Sequence, residues 1–424
     1  MAKILVNESG PLHGTVQISG AKNAVLPLMA ATLLTGDTCR IEDVPDLADV
    51  KVMREMLKSF GAEVEELSPG VISVSAKEIK TTVGDSELVS EMRASTMVMG
   101  PLLARCGKCV MPMPGGCSIG KRPIDLHLKG FRALGATVEF DEDKEHVILT
   151  AGPDGLVGDA IYLDFPSVGA TENILMAATL AKNVTIIENA AKEPEIVDLA
   201  NQLNKMGAKI KGAGTDTIRI TGVESLSGSI HTVIPDRIET GTFMLAAAIT
   251  RGDVLVQNAI PGHVRPIIAK LKECGVKVEV QDVGIYVDAR DGELVATDIK
   301  TLPYPGFPTD IQSPFMTFLT TVHGQSIVRE TVFENRFMHV VELNRMGADI
   351  TTESREAFVP GGKKLHGAKV RATDLRAGAA MVLAGLVATG TTEVSEIYHI
   401  ERGYENFVQK FKGIGGDLMR VEED

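Results

Sequence analysis

One short segment of the sequence, residues 114–123 (PGGCSIGKRP), combines a thiol nucleophile with two cations. Its three glycines and two prolines exclude a helix interior or a central strand and predict a loop. Lys121 and Arg122 follow Cys117 closely, and nearby cations stabilise a thiolate and lower the pKa of the thiol. The segment therefore predicts a reactive cysteine. The alternative interpretation is a surface loop in which the cysteine is incidental.

An anion site is predicted directly after this cysteine. Arg122 and Pro123 lead into a segment with apolar residues at helical spacing, Leu126, Phe131 and Leu134. Proline suits the first turn of a helix, so we expect Arg122 at a helix N-terminus, where free backbone N–H groups favour anions.

Composition limits the classes of protein that remain possible. The chain has 424 residues, enough for two or three domains, and its 44% hydrophobic and 23% charged content is ordinary for a globular protein. We expect no membrane span, since no apolar run approaches ~18 residues, and no signal peptide, since the start MAKILVNESG lacks a long apolar core before a small-residue cleavage site. The net charge of −13 disfavours a nucleic-acid or anionic-membrane partner. An odd, sparse set of five cysteines predicts a reducing cytoplasm without a disulfide framework.

The sequence repeats one pattern six times. A glycine followed by a short apolar strand start recurs at intervals of 68 to 74 residues, so units of about 71 residues account for the chain. These marker glycines are Gly61, Gly135, Gly207, Gly275, Gly347 and Gly415.

Each unit reads as an apolar Ala-rich helix, a strand, an amphipathic helix that ends at the marker glycine, and one or two closing strands. Helices that are apolar on all sides must be buried, whereas the strands have one polar face. We therefore predict an α/β, two-domain inside-out barrel with helices inside and sheets outside. Three units form each domain. The first domain comprises residues 21–234, and the second comprises residues 1–20 and 235–424. We expect a cleft between the domains, with the two chain crossings acting as a hinge. The opening strand, residues 3–18, is assigned to the second domain.

Cations recur at the predicted helix starts. In a barrel of parallel units, these starts open at one end, so we expect the cations to share the cleft and to bind anions with the helix dipoles. The alternative is that helix starts merely carry polar surface residues, but the dipole favours acidic residues there. The cations are Lys22, Arg93, Arg122, Arg336, Arg376 and Arg402.

Two further patterns do not predict chemistry. The CGKC sequence at 106–109 falls in the turn between a helix and a strand, and no second ligand pair at metal spacing accompanies it. The nine histidines form no HExxH-like set. We predict neither a catalytic metal nor a cofactor.

Several motifs together closely resemble the UDP-N-acetylglucosamine enolpyruvyl transferase (1-carboxyvinyltransferase) family. The resemblance extends over all six units and is most specific in the cysteine loop. It implies an inside-out α/β barrel of two domains and six units. The motifs are SGAKNA (19–24), PGGCSIGKRPIDLH (114–127), SVGAT (167–171), AAKEPEIVD (190–198), PDRIETGTF (235–243), FPTD (307–310), ENRFMHV (334–340), ATDLRA (372–377) and IYHIERGYE (397–405).

The resemblance implies an activity and roles for individual residues. The enolpyruvyl group of phosphoenolpyruvate would move to the 3′-hydroxyl of UDP-N-acetylglucosamine by addition and elimination, with release of phosphate, in the first committed step of peptidoglycan precursor synthesis. Cys117 resembles the general acid that forms an adduct with phosphoenolpyruvate, and Asp310 resembles the base for the sugar hydroxyl. Lys22, Arg122 and Arg402 would hold phosphoenolpyruvate.

The remaining matched positions would contact the substrates. Asn23 would contact the reacting region, and Arg93 would assist as the site closes. The nucleotide-sugar contacts would be Arg122, Pro123, Ile124, Asp125, Leu126, Ser167, Val168, Gly169, Asp310 and Val332. The second-domain face would carry Arg336, Asp374 and Arg376.

Two positions depart from the family pattern. Phe165 and Ala48 stand where lysines lie near the nucleotide and the cleft mouth, which leaves the affinity for the nucleotide open. Because Cys117 is present, we expect sensitivity to thiol-alkylating epoxides such as fosfomycin.

Other classes of function are alternatives to this one. An enolpyruvyl transferase acting on shikimate 3-phosphate would share the barrel and the cationic cleft, but the PGGCSIGKRP loop favours the UDP-N-acetylglucosamine family. A nucleotide-sugar sensor, or a redox switch using CGKC, would not need Cys117, Asp310 and Lys22 together. An RNA-terminus-modifying enzyme on a related fold fits poorly with the acidic charge. The sequence leaves the oligomeric state open.

Overall fold

The computed structural model describes residues 2–113 and 124–422. These residues form two compact units. Residues 20–113 and 124–234 make up the inserted unit, and residues 2–19 and 235–422 make up the terminal unit. The chain passes from one unit to the other at 19–20 and at 234–235.

The helices of the described residues are short to medium in length. They are α1 (Lys22–Ala31), α2 (Ala48–Ser59), α3 (Ser86–Glu91), α4 (Met99–Cys106), α5 (Asp125–Ala133), α6 (Val168–Ala178), α7 (Pro194–Lys205), α8 (Arg237–Ile249), α9 (Arg265–Glu273), α10 (Gln312–Leu319), α11 (His339–Arg345), α12 (Leu375–Val387), α13 (Tyr398–Glu401) and α14 (Phe407–Gly413). Single 3₁₀ turns cover Thr32–Leu34, Pro261–His263 and Thr309–Ile311, and a six-residue 3₁₀ helix covers Arg93–Val98. No helix in the two described ranges is long and apolar enough to cross a membrane.

The strands are also short. They are β1 (Ala2–Asn7), β2 (His13–Gln17), β3 (Thr38–Glu42), β4 (Glu63–Ser68), β5 (Val71–Ser75), β6 (Lys108–Pro112), β7 (Thr137–Asp141), β8 (His146–Thr150), β9 (Ala160–Tyr162), β10 (Val184–Glu188), β11 (Lys209–Lys211), β12 (Thr217–Thr221), β13 (Ile230–Thr232), β14 (Asp253–Gln257), β15 (Lys277–Gln281), β16 (Gly284–Asp288), β17 (Ile299–Lys300), β18 (Gln325–Arg329), β19 (Thr351–Glu353), β20 (Glu356–Pro360), β21 (Lys369–Arg371), β22 (Thr391–Ser395) and β23 (Leu418–Glu422).

These strands form small sheets, three in the described part of each unit. The inserted unit has the orders β13-β3-β5-β4, β6-β8-β7 and β11-β12-β10-β9, and the terminal unit has β21-β22-β1-β23, β15-β16-β14-β2 and β17-β18-β20-β19. In the last of these, β17 pairs with β18 in parallel and β18 pairs with β20 antiparallel. Helix α10 joins β17 to β18, so a βαβ crossover brings the helix onto the sheet.

Five of the six Ala-rich segments contain a helix whose residues are mostly buried, as predicted, and in the sixth, α4, burial covers Met99–Leu103 and ends at Ala104. Every residue of α10 is buried, and in α8 burial extends from Ile238 to Ile249. The strands, in contrast, alternate: in β10, Thr185 and Ile187 are buried and their neighbours are more exposed. The core of each unit therefore contains enclosed helices together with the buried residues of the strands. The fold is a mixed α/β fold.

The marker glycines end the amphipathic helices, which confirms the predicted C-caps. All six have positive φ angles, between 86° and 106°, a region in which glycine carries no Cβ penalty. After α2, Gly61 N donates to Lys58 O at 2.9 Å and Ala62 N donates to Leu57 O at 3.1 Å. These two bonds are the Schellman pattern, which satisfies carbonyls at the end of a helix.

The predicted single opening strand, residues 3–18, is wrong in detail. The structure has two strands there, β1 and β2, which belong to two different sheets of the terminal unit. Gly10 and Pro11 separate them, and proline cannot donate a hydrogen bond to a sheet. Ser19 O then accepts from Asp236 N at 2.9 Å, where the chain returns to the terminal unit.

Candidate active site

The cysteine loop lies outside the described residues, and so do Cys117, Arg122 and Pro123. The helix that follows begins at Asp125, with the buried Ile124 as its N-cap residue. Asp125 is exposed and Leu126 is partly buried.

In the terminal unit, the carboxylate of Asp310 lies between two arginines. Asp310 is in the 3₁₀ turn Thr309–Ile311, directly before the buried helix α10. Its Oδ1 is 2.8 Å from Nη2 of Arg336, and its Oδ2 is 3.4 Å from Nη2 of Arg376. Both arginines are almost fully buried, whereas a quarter of the Asp310 side chain is exposed. Charge-assisted bonds from two guanidinium groups stabilise the carboxylate form, which is the form a general base requires.

Arg376 is held by its own helix start. Asp374 is the N-cap of α12, and its Oδ1 accepts hydrogen bonds from Arg376 N at 2.8 Å and Ala377 N at 3.0 Å. The guanidinium lies over the ring of Tyr404, 5.2 Å from its centroid. Burial opposes the charge on Arg376, but Tyr404 and Asp310 together raise its pKa. Its Nη1 makes no hydrogen bond to any described residue, so this buried cation has a donor suited to an anion.

Two predicted helix starts are wrong. Arg336 lies in a turn, and α11 begins only at His339. The carbonyl of Arg336 instead accepts from the buried Gln312 Nε2 at 3.2 Å. Arg402 follows the last residue of the short helix α13, and α14 begins five residues later. Asn406, with a φ of 49°, interrupts the helical path between them.

In the inserted unit, Lys22 forms a buried ion pair. It is the first residue of α1, and its Nζ is 2.7 Å from Oδ2 of Asp49 in the first turn of α2. Asp49 suits a helix N-terminus, whereas a lysine there opposes the dipole. The pair therefore holds an otherwise unfavourable cation in place. Asn23 follows Lys22 and is exposed, and Arg93 begins the 3₁₀ helix and is partly buried.

The predicted nucleotide-sugar segment 167–169 forms the start of α6. Ser167 is the N-cap, and its Oγ accepts from Ala170 N at 3.3 Å. At Gly169, a Cβ atom would lie 3.0 Å from Met97 Cε and 3.2 Å from His127 Cε1. A larger residue would push these side chains away, so glycine permits the close packing at this helix start.

Asn173 connects the elements behind this helix start. Its Nδ2 donates to Thr96 O at 2.9 Å and lies 2.9 Å from His127 Nδ1, and its Oδ1 accepts from Gly100 N at 2.8 Å. The amide thus links α6 to α5 and to the helical segment that Arg93 begins. Burial, followed by the charge of Arg93, lowers the pKa of His127 from 6.5 to about 4. His127 is therefore neutral at pH 7, with Nδ1 as the acceptor.

His127 should make folding stability depend on pH. Its pKa is lower in the folded chain, so the unfolded chain binds the proton first as the pH falls from 6.5 towards 4. Stability is then lost over this window, by about 3 kcal/mol in all. We expect His127→Gln to flatten the decline, measured by urea unfolding between pH 4 and 8. His323→Gln, at a side chain that is 68% exposed, is the control. An unchanged pH profile in His127→Gln would contradict the assignment.

The other predicted positions are less enclosed. Val332 is partly buried, Ala48 is partly buried at the start of α2, and Phe165 is exposed. In CGKC, Cys106 is exposed and Cys109 is buried, and burial raises the pKa of both thiols. Neither thiol has the lowered pKa that a redox switch requires. The described residues contain no group of three or more His, Cys, Asp or Glu that could hold a metal ion.

Sequence reasoning missed the residues that support the site. Thr309 and Glu330 contact the Asp310 cluster, and Asn173 and His127 lie behind α6. Thr309 and His127 lie within the quoted motifs, which was the available signal. For Glu330 and Asn173 the sequence carries no local signal, because their partners are distant in the chain.

A family model described as EPSP synthase (3-phosphoshikimate 1-carboxyvinyltransferase) matches residues 6–411. The chain therefore belongs to the EPSP synthase family. Its fold is similar to the crystal structure of the enolpyruvyl transferase NikO from Streptomyces tendae, with a TM-score of 0.89 and 25% sequence identity. This match covers 100% of the present chain and 99% of that chain.

Within the family, the sequence is similar to one group of enzymes. UDP-N-acetylglucosamine 1-carboxyvinyltransferase 2 of Carboxydothermus hydrogenoformans is 58% identical over 424 residues, which covers 100% of both chains. UDP-N-acetylglucosamine 1-carboxyvinyltransferase of Finegoldia magna is 56% identical over 423 residues, 100% of this chain and 99% of that one. The family prediction from the sequence motifs is confirmed.

Proposed function

We propose that this protein is a transferase that moves the enolpyruvyl group of phosphoenolpyruvate to the 3′-hydroxyl of UDP-N-acetylglucosamine and releases phosphate. The observation that carries the proposal is identity of 58% and 56%, over the full length, to relatives named for this reaction. The reaction would be the first committed step of peptidoglycan precursor synthesis, in the cytoplasm. It would serve cell-wall biogenesis, and through it cell shape and division.

The proposed chemistry has an addition step and an elimination step. In the addition, Asp310 accepts the proton of the 3′-hydroxyl while the oxygen bonds to C2 of phosphoenolpyruvate, and C3 gains a proton. Cys117 acts as the general acid. In the elimination, the bond from C2 to the phosphate oxygen breaks and C3 loses a proton, which restores the double bond. The pairing of Asp310 with Arg336 and Arg376 supports its role, because it favours an ionised base.

Cations would hold the anionic groups of both substrates. Lys22, Arg122 and Arg402 bind phosphoenolpyruvate, with Asn23 at the reacting region and Arg93 assisting closure. The Nη1 atom of Arg376 has no hydrogen-bond acceptor among the described residues, so it is suited to donate to a substrate anion. The nucleotide sugar is bound by Arg122, Pro123, Ile124, Asp125 and Leu126, by Ser167, Val168 and Gly169, and by Asp310 and Val332. Arg336, Asp374 and Arg376 are further substrate-binding residues of the terminal unit.

The proposal includes the finer description of the fold, an inside-out α/β barrel made of six repeated units. Six short sheets among the described residues and the enclosed helices beside them support it. So do the six marker glycines, each with a positive φ.

Phosphate release from phosphoenolpyruvate tests the function directly. We expect release that requires UDP-N-acetylglucosamine and that is lost in Cys117→Ala. Phosphate release that instead requires shikimate 3-phosphate would show that the enolpyruvyl group is transferred to that acceptor. Tight binding of the nucleotide sugar without release would indicate a sensor. Full activity in Cys117→Ala would keep the reaction and remove Cys117 as an essential acid.

A further inference from the structure

Glu330 is a buried carboxylate next to the Asp310 cluster, and it directly follows strand β18. It is only 1% exposed. Its Oε1 accepts hydrogen bonds from Thr301 Oγ1 at 2.8 Å and from the backbone N–H of Val332 and Phe333 at 2.8 and 3.1 Å. Its Oε2 accepts from Thr309 Oγ1 at 2.9 Å. Four neutral donors therefore converge on one carboxylate.

The Oε2 atom of Glu330 is connected to Asp310 through hydrogen bonds. The Thr309 hydroxyl has one proton, and because that proton goes to Glu330, its oxygen accepts from Arg336 Nη1 at 2.9 Å. Nη2 of the same guanidinium is 2.8 Å from Asp310 Oδ1. A continuous set of hydrogen bonds thus runs from Glu330 through Thr309 and Arg336 to the carboxylate of Asp310.

The first oxygen fixes a different part of the site. Bonds to two consecutive N–H groups hold the backbone at 332–333, immediately after β18. Phe333 in turn carries a ring that lies 5.2 Å from the Arg336 guanidinium carbon. Glu330 therefore constrains both the backbone at Val332 and the arginine beside Asp310.

We propose that Glu330 is a positioning residue for the transfer reaction, setting the orientation of the base Asp310 through Thr309 and Arg336 and the backbone at Val332. The inference rests on the proposed function, which assigns Asp310 as the base and Val332 as a sugar-nucleotide contact. Only a carboxylate accepts hydrogen bonds on both sides, so glutamine, which has the same shape, presents an NH₂ group to one set of donors. Because backbone N–H groups cannot accept, the NH₂ group must face Thr309, whose hydroxyl proton then loses its acceptor. The amide oxygen that remains for the N–H groups of Val332 and Phe333 carries no charge and binds them more weakly than a carboxylate does.

The test is steady-state phosphate release by the full-length protein with phosphoenolpyruvate and UDP-N-acetylglucosamine. We expect Glu330→Gln to lower kcat about 10- to 100-fold and to raise KM for UDP-N-acetylglucosamine, since misplacement by a fraction of an ångström is costly in an active site. Thr309→Val should lower kcat with little change in KM, because it breaks only the path to Asp310. Thr309→Ser keeps the hydroxyl and should retain most activity.

A variant elsewhere on the same sheet separates positioning from general stability. Glu356 on β20 pairs with Arg329 on β18, so Glu356→Gln also removes a charge from a hydrogen-bonded carboxylate there. We expect its kinetics to match the wild type. A Glu330→Gln protein that is folded by circular dichroism and has wild-type kcat and KM would overturn the inference. The inference would also be overturned if KM were unchanged and kcat fell only in proportion to the fraction of Glu330→Gln protein that is folded. A wild-type protein without phosphate release would overturn the proposed function, and this inference with it.

Discussion

Replacing Asp310 with asparagine is expected to lower kcat about 10³-fold, within the range for loss of a general base. The amide has the same shape as the carboxylate but cannot accept a proton from the sugar hydroxyl. Its Oδ1 can still accept from Arg336, whereas its NH₂ group would face Arg376. Binding of UDP-N-acetylglucosamine should therefore weaken much less than kcat falls. Phosphate release gives kcat, and calorimetry gives the affinity.

A second aspartate of the terminal unit is a suitable control for this experiment. Asp298 is exposed and its Oδ1 accepts from Ile327 N at 2.7 Å, so it also acts as a hydrogen-bond acceptor. Asp298→Asn should leave kcat unchanged. If Asp310→Asn kept kcat within tenfold of the wild type, Asp310 would not be the base. Its pairing with the two arginines would then be structural.

Local patterns in the sequence predict much of the fold, for a physical reason. The caps depend on adjacent residues: a marker glycine such as Gly61 adopts a positive φ that other residues avoid, and it ends the helix wherever it occurs. Enclosed helices such as α12 follow equally from a composition that is apolar except for Arg376. The division of 3–18 into two strands was missed, although Gly10 and Pro11 mark it.

The candidate site is predictable only where family motifs carry the information. Spacing from a marker glycine placed Arg336 and Arg402 at helix starts, but the lengths of α11, α13 and α14 differ from those of the other helices. The Asp310 cluster joins residues 66 positions apart in the chain, and no local pattern encodes such a contact. The same holds for Glu330, whose partner Thr301 is 29 positions away. Such partners become visible only when tertiary packing is known.

The second prediction with a large expected effect concerns Lys22, which forms an ion pair with Asp49. Lys22→Met should reduce kcat/KM for phosphoenolpyruvate by about 10³-fold, because a buried charge-assisted contact to an anionic substrate is lost. The same variant removes the cation that pairs with the nearly buried Asp49, which is expected to cost about 3–5 kcal/mol of stability. A drop in activity alone would therefore not separate substrate binding from folding.

The double variant Lys22→Met, Asp49→Leu separates the two effects. Replacing a buried ion pair by apolar side chains is often neutral or stabilising, so we expect urea unfolding to return close to the wild-type midpoint. Activity should stay at the level of Lys22→Met, because an apolar pair cannot bind the carboxylate or phosphate of the substrate. Lys58→Met, which breaks a 2.8 Å surface pair with Glu55 on α2, should change stability by under about 1 kcal/mol and leave activity intact. Recovery of activity in the double variant would mean that Lys22 acts only through the fold of the inserted unit.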